Sequence, residues 1–303
     1  MPDRFPSFLC VGGAKCGTTS LYEYLRDHPQ VFLPDQKELH YFSHLDLMAN
    51  MNGPGTRWAL ESVITSEDDY LSRFASARSD QILGDISPSY LNSPRAAEAI
   101  AAKVPDARII ILLRNPVDRM FSQYMHLRRA AREDLDFEDA LLAEPERVRG
   151  GWNDMFYYTR SPRAADGVRR YLELFGNDRV KIILGEDLRR DLAGEVRGIL
   201  QFIGADPDVE LDLTGEFNKS GEPKSKLVGR MLDASPLAAV AKRLLPRRLG
   251  AVLKQKIQAA NTGKRIELPA GQRARYAELF ADDVRELEAL IGRETGWLPG
   301  ASG

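Results

Sequence analysis

Cysteine is nearly absent from this chain: 303 residues hold two, Cys10 and Cys16. A bridge between them would distort the glycine-rich turn that carries the second. Both are therefore read as free thiols of a protein folded in a reducing compartment. A dominant charge is missing too. Lys plus Arg total 42 against 44 for Asp plus Glu, a net charge of −2, which argues against general binding to nucleic acid. No apolar run approaches the roughly 20 residues of a membrane span. The first residues show neither the basic nor the apolar region of a signal peptide, so a cytoplasmic location is expected. Repeats and low-complexity tracts are absent. What is present is an apolar fraction of 43%, enough for a full core in one large domain with helical additions.

The most informative stretch is residues 8–21, FLCVGGAKCGTTSL. It reads as a short apolar strand, a glycine-rich turn holding a lysine, and a helix opened by three hydroxyls. Turn N–H groups and a helix N-terminus together make an anion cradle. A Walker A loop requires G-x-x-x-x-G-K-[ST]. Gly12 and Gly17 keep the glycine spacing, but Thr18 stands where the lysine belongs, and the lysine is Lys15, inside the loop. A loop built this way can grip one 5′-phosphate and the bridging oxygen beyond it. The segment resembles the 5′-phosphosulfate loop of sulfotransferases that use 3′-phosphoadenosine 5′-phosphosulfate (PAPS). The resemblance implies cofactor contacts from Lys15, Cys16, Gly17, Thr18, Thr19 and Ser20.

Residues 108–125, RIIILLRNPVDRMFSQYM, support the same likeness. The run 109–113 is a buried parallel strand by composition. Asn115-Pro116 ends it and opens a helix. Arg114 at the strand end and Ser122 two helical turns on resemble the family's 3′-phosphate site. A guanidinium and a hydroxyl are suitable donors for a phosphate. Residues 37–42, KELHYF, resemble a segment of the heparan-sulfate-type branch, in which the glutamate is the catalytic base. The resemblance makes Glu38 the general base and leaves His40 to assist or to serve as base itself. In an extended segment the two share a face. Lys37 and Asp85 become substrate candidates, although Asp85 serves equally well as a cap. The segment 84–91, GDISPSYL, matches the branch only partly, because Ile86 occupies the place of a lysine. Lys219, Ser220 and Gly221 resemble a loop near the 3′-phosphate.

The expected fold is α/β: a P-loop-like three-layer arrangement with a central parallel sheet flanked by helices, plus a C-terminal helical extension. Strands are expected at 8–12, 31–33, 81–84, 108–113 and 180–184. Helices are expected at 18–28, 67–77, 95–103, 116–132, 165–175, 191–203 and 270–293. Residues 43–66 read as an irregular insertion and 133–163 as a polar lid. One domain spans 1–303, with its core at about 5–226 and a basic segment and final helix at 227–296. Residues 224–265 carry eleven Lys and Arg and one acid, Asp233. That stretch can pack on the sheet with a solvated basic face, or touch an anionic membrane surface peripherally.

The resemblance implies a sulfuryl transfer from PAPS, in line and without a metal, to a hydroxyl or amine of an acceptor. Carbohydrate or glycolipid is favoured over other lipids and small molecules. The alternatives are a P-loop kinase using ATP, opposed by the displaced lysine and by the arginine that ends the strand at 109–113, and a non-catalytic nucleotide-binding member.

Overall fold

The computed structural model describes residues 4–56, 60, 62–215 and 268–298. The expectations for Lys219, Ser220, Gly221 and the basic segment 224–265 lie outside those residues.

Five strands form one parallel sheet: β1 (Phe8–Gly12), β2 (Val31–Phe32), β3 (Ile82–Ile86), β4 (Arg108–Leu113) and β5 (Val180–Leu184), in the order β2-β3-β1-β4-β5. Apolar residues in β1 and β4 run without interruption because both strands are covered on both faces. Alternation then sorts their side chains. Leu9, Val11, Ile109, Ile111 and Leu113 face one apolar cluster, and Phe8, Cys10, Ile110 and Leu112 face the other. The first face is covered by α4 (Ala96–Lys103), α5 (Pro116–Arg129), α7 (Ala165–Phe175) and α11 (Ala281–Ile291). The second is covered by α1 (Thr18–Arg26) and α9 (Leu192–Ile203). The remaining described helices are α2 (His44–Ala49), α3 (Glu67–Ser72), α6 (Phe137–Arg149), α8 (Gly185–Arg190) and α10 (Ala270–Ala277).

The strand order fixes where a ligand sits. The chain leaves β1 toward β2 on one side and leaves β4 toward β5 on the other. The crevice between neighbouring β1 and β4 is therefore a topological switch point, and ligands collect at the carboxyl ends of such strands. The loop after β1 and Arg114 after β4 meet there: Arg114 Nη1 donates to the Lys15 carbonyl at 3.3 Å. A register shift between Cys10 and Gly12 against β4 marks a bulge where β1 turns into its loop.

Several expected boundaries differ. The insertion at 43–66 contains α2, and Asn52 pairs with Trp152 in an isolated bridge. The helix expected at 67–77 ends at Ser72. The final helix breaks at Glu278–Phe280 into α10 and α11. Residues 133–163, expected as a polar lid, contain α6 and a buried ion pair. Arg147 Nη1 lies 2.6 Å from Glu133 Oε2, which also accepts from the Tyr158 hydroxyl at 2.7 Å. These partners come from separate turns of chain, so local polarity concealed them.

Candidate active site

Local sequence explains the loop after β1. Gly12 is tightly enclosed: an added Cβ would meet Leu91 Cδ2 at 2.5 Å. Gly17, with φ of 100°, caps α1 in the left-handed region that suits glycine. The first turn of α1 holds no acid, leaving its N-terminal N–H groups electrostatically open to an anion. Lys15 is itself left-handed, with φ of 66°. Arg119 Nε of α5 donates to the Ala14 carbonyl at 3.0 Å and ties the loop to that helix. At the start of α5 the Asn115 side chain accepts from the Val117 and Asp118 N–H groups, with Pro116 in the first turn.

One cavity of about 450 Å³ gathers most of the sequence candidates. Lys15, Gly17, Thr18, Thr19 and Ser20 line it from the loop and α1. Arg114 and Ser122 line it from β4 and α5, and Glu38 and His40 from the loop after β2. Lys37 reaches the same group from behind, donating to Glu38 Oε1 at 2.6 Å and Thr19 Oγ1 at 3.0 Å. Cys16 is buried against the apolar cluster around α1. Burial holds its thiol above the ordinary range and pushes that of Cys10 up to about 12, so both are protonated and inert.

Asp85 does not face the cavity. It is 1% exposed and accepts from three hydroxyls: Ser87 at 2.7 Å, Tyr90 at 2.8 Å and Tyr70 at 3.0 Å. Ser87 Oγ in turn accepts the His40 N–H at 3.3 Å. Neither of the two sequence-level roles, substrate contact or cap, describes this arrangement. Asp85 anchors the floor on which the Glu38–His40 loop rests.

That loop is not extended. Glu38 and His40 have φ of 64° and 58°; with Lys15 they make three of the four non-glycine residues at positive φ among the described residues. Such strained positions concentrate where geometry serves function. The alternating left-handed turns still bring His40 Nε2 to 3.9 Å from Glu38 Oε2, while His40 Nδ1 contacts Ser89 Oγ at 2.8 Å. Burial pushes the Glu38 carboxyl up, but Lys37, His40 and Lys15 together outweigh it and hold the acid below its ordinary value. Burial lowers His40 despite the attraction of Glu38. At neutral pH the pair is thus a carboxylate beside a neutral imidazole. Desolvation first, then Arg129, brings Lys15 down to about 8.

Sequence reading missed His126, whose Nδ1 stands 3.5 Å from Lys15 Nζ. It lies four residues after Ser122 on α5, so helical spacing carried the signal. Residues 153–156 also line the cavity, and no motif pointed to them.

Comparisons with known proteins point to one family. A model described as the sulfotransferase family matches residues 6–208. The chain is 33% identical over 119 residues to the membrane-associated sulfotransferase kil1 of Dictyostelium discoideum, covering 39% of this chain and 22% of that protein. It is 26% identical over 314 residues to the bifunctional heparan sulfate N-deacetylase/N-sulfotransferase 1 of Mus musculus, covering 98% of this chain and 31% of that protein. The chain spans less than a third of the length of these two relatives. A crystal structure of a sulfotransferase from Alicyclobacillus acidocaldarius superposes with a TM-score of 0.78 at 34% identity, covering 97% of this chain and 99% of that one.

Proposed function

The chain belongs to the sulfotransferase family, and on that premise we propose that it transfers a sulfuryl group from PAPS to a hydroxyl or amine of a carbohydrate or glycolipid acceptor. The observation that carries this reading is the convergence of Lys15, Arg114, Ser122 and Glu38 on one cavity.

The donor set suits a nucleotide with two phosphate ends. Lys15, Gly17, Thr18, Thr19 and Ser20 would hold the 5′-phosphosulfate at the N-terminus of α1. Arg114 and Ser122 would hold the 3′-phosphate. When bound, PAPS supplies the sulfuryl group and leaves as adenosine 3′,5′-bisphosphate. Lys15 offsets negative charge that develops on the leaving phosphate, a role for a preorganised cation in a partly dry site. Glu38 takes the proton from the acceptor hydroxyl or amine as the new bond to sulfur forms. Its ionised state, maintained by Lys37, keeps it ready to accept that proton. His40, neutral and braced by Ser89, orients the carboxylate.

Incubation with sulfur-labelled PAPS and a glycan acceptor tests the assignment. Glu38→Gln should abolish label transfer while leaving bisphosphate binding intact. Retained transfer would move the base to His40.

A further inference from the structure

A second cavity of about 550 Å³ adjoins the first. The two share Leu47, Ser89, Asn92 and Asp154 in their linings. Ser89 is the residue whose hydroxyl contacts His40 Nδ1, so the junction lies beside the proposed base. Lys15, Gly17, Thr18, Thr19, Ser20, Arg114 and Ser122, proposed above to hold the nucleotide, all line the first cavity, and none of them lines the second.

The charge of the second lobe is distinctive. Arg160, Arg163 and Arg170 line it, together with Asp46, Asp154 and Asp166. All three acids have cations outside the lining: Asp46 pairs with Arg95 at 3.2 Å and Asp166 with Arg169 at 2.9 Å, while the carboxyl of buried Asp154, raised by that burial, is drawn back by Arg119. Among the described residues none of the lining arginines makes an ion pair within 4.0 Å, although Arg163 is near enough to Asp283 to pull that carboxyl down against its burial. Arg163 donates to the Leu279 carbonyl at 2.7 Å and Arg170 to the Leu91 carbonyl at 3.1 Å. Carbonyls orient a guanidinium without neutralising it. The Arg160 side chain is exposed. Its backbone is held in place, because the Glu144 carboxylate accepts the Thr159 and Arg160 N–H groups at 2.7 and 3.1 Å. Three guanidiniums on a fixed backbone, two of them aimed by carbonyls, form a preorganised site for a carboxylate or phosphate.

We propose that this lobe anchors an anionic group borne by an elongated acceptor, a carboxylate or phosphate held by Arg160, Arg163 and Arg170 while the group to be sulfated lies past the Ser89–Asn92–Asp154 junction at Glu38. The proposal rests on the sulfotransferase reading of the first cavity and adds the acceptor's charge and length. A small neutral phenol would leave the second lobe unused.

The test measures binding and turnover with three hexasaccharides of one backbone: one carrying glucuronates, its carboxyl-reduced neutral twin, and a phosphorylated form. Binding is measured in the presence of adenosine 3′,5′-bisphosphate. The charged probes should bind more tightly than the neutral one, and less tightly as salt rises; which of the two binds better identifies carboxylate or phosphate as the anion. Arg160→Glu should raise the KM for the charged acceptor about tenfold, leave kcat and the neutral probe unchanged, and be rescued in part by Arg160→Lys. Equal affinity for charged and neutral probes, or an Arg160→Glu enzyme indifferent to acceptor charge, would overturn the proposal. Binding of the bisphosphate without binding of any charged glycan would also overturn it while sparing the donor site. Failure to bind the bisphosphate would remove the reading on which it rests.

Discussion

Lys37 Nζ stands 2.6 Å from Glu38 Oε1 and 3.0 Å from Thr19 Oγ1, so one ammonium ties the proposed base to the first turn of the phosphate-binding helix. Its charge is the strongest influence holding the Glu38 carboxyl down against burial. In Lys37→Met that acid should titrate higher. Because Glu38 acts as the carboxylate, the acidic limb of the pH–rate profile should move to higher pH, with the largest loss of rate at acidic pH. An unmoved limb would show that Glu38 is not the group being titrated.

Lys15 should act as a cation, and desolvation followed by Arg129 brings it down to about 8. Affinity of the free protein for adenosine 3′,5′-bisphosphate should therefore fall as pH rises through that region. Removing the repulsion with Arg129→Met should shift the fall to higher pH. Lys15→Ala should lower kcat by more than about a hundredfold, as loss of one oxyanion donor does. Binding titrations across pH and steady-state rates check both.

The Asp85 carboxyl is raised by burial, against hydrogen bonds from Ser87, Tyr90 and Tyr70. Its folded pKa therefore exceeds its unfolded one. The stability linked to this proton is full below about pH 4 and is lost as pH rises through the folded value. Asp85→Ala should flatten that part of the stability–pH curve. It should also cost about 2–4 kcal/mol, because three buried hydroxyls lose their acceptor. Denaturant unfolding at several pH values measures both effects.

The parts of the site that were legible in sequence are those whose geometry is local. The loop after β1, the strand end at Arg114 and the Asn115-Pro116 helix start are set by glycine, proline and capping chemistry over a few residues, and they stand where the pattern put them. The KELHYF segment announced its residues but not its shape, since the left-handed turns at Glu38 and His40 depend on Ser87 and Ser89 across 47 and 49 residues of chain. Asp85 was ambiguous for the same reason, because its partner Tyr70 lies on a different element. The Glu133–Arg147 pair made a core segment look like a polar loop. His126 was within reach of helical periodicity, one turn beyond Ser122.

The measurement that bears most directly on the central claim is calorimetric titration with adenosine 3′,5′-bisphosphate, set beside ATP with Mg²⁺. The account predicts tight binding of the bisphosphate without added metal, weakened at least about tenfold in Arg114→Ala, since a guanidinium–phosphate contact is a strong charge-assisted one. Preference for Mg·ATP, with bisphosphate binding indifferent to Arg114, would contradict it and point to phosphoryl transfer instead.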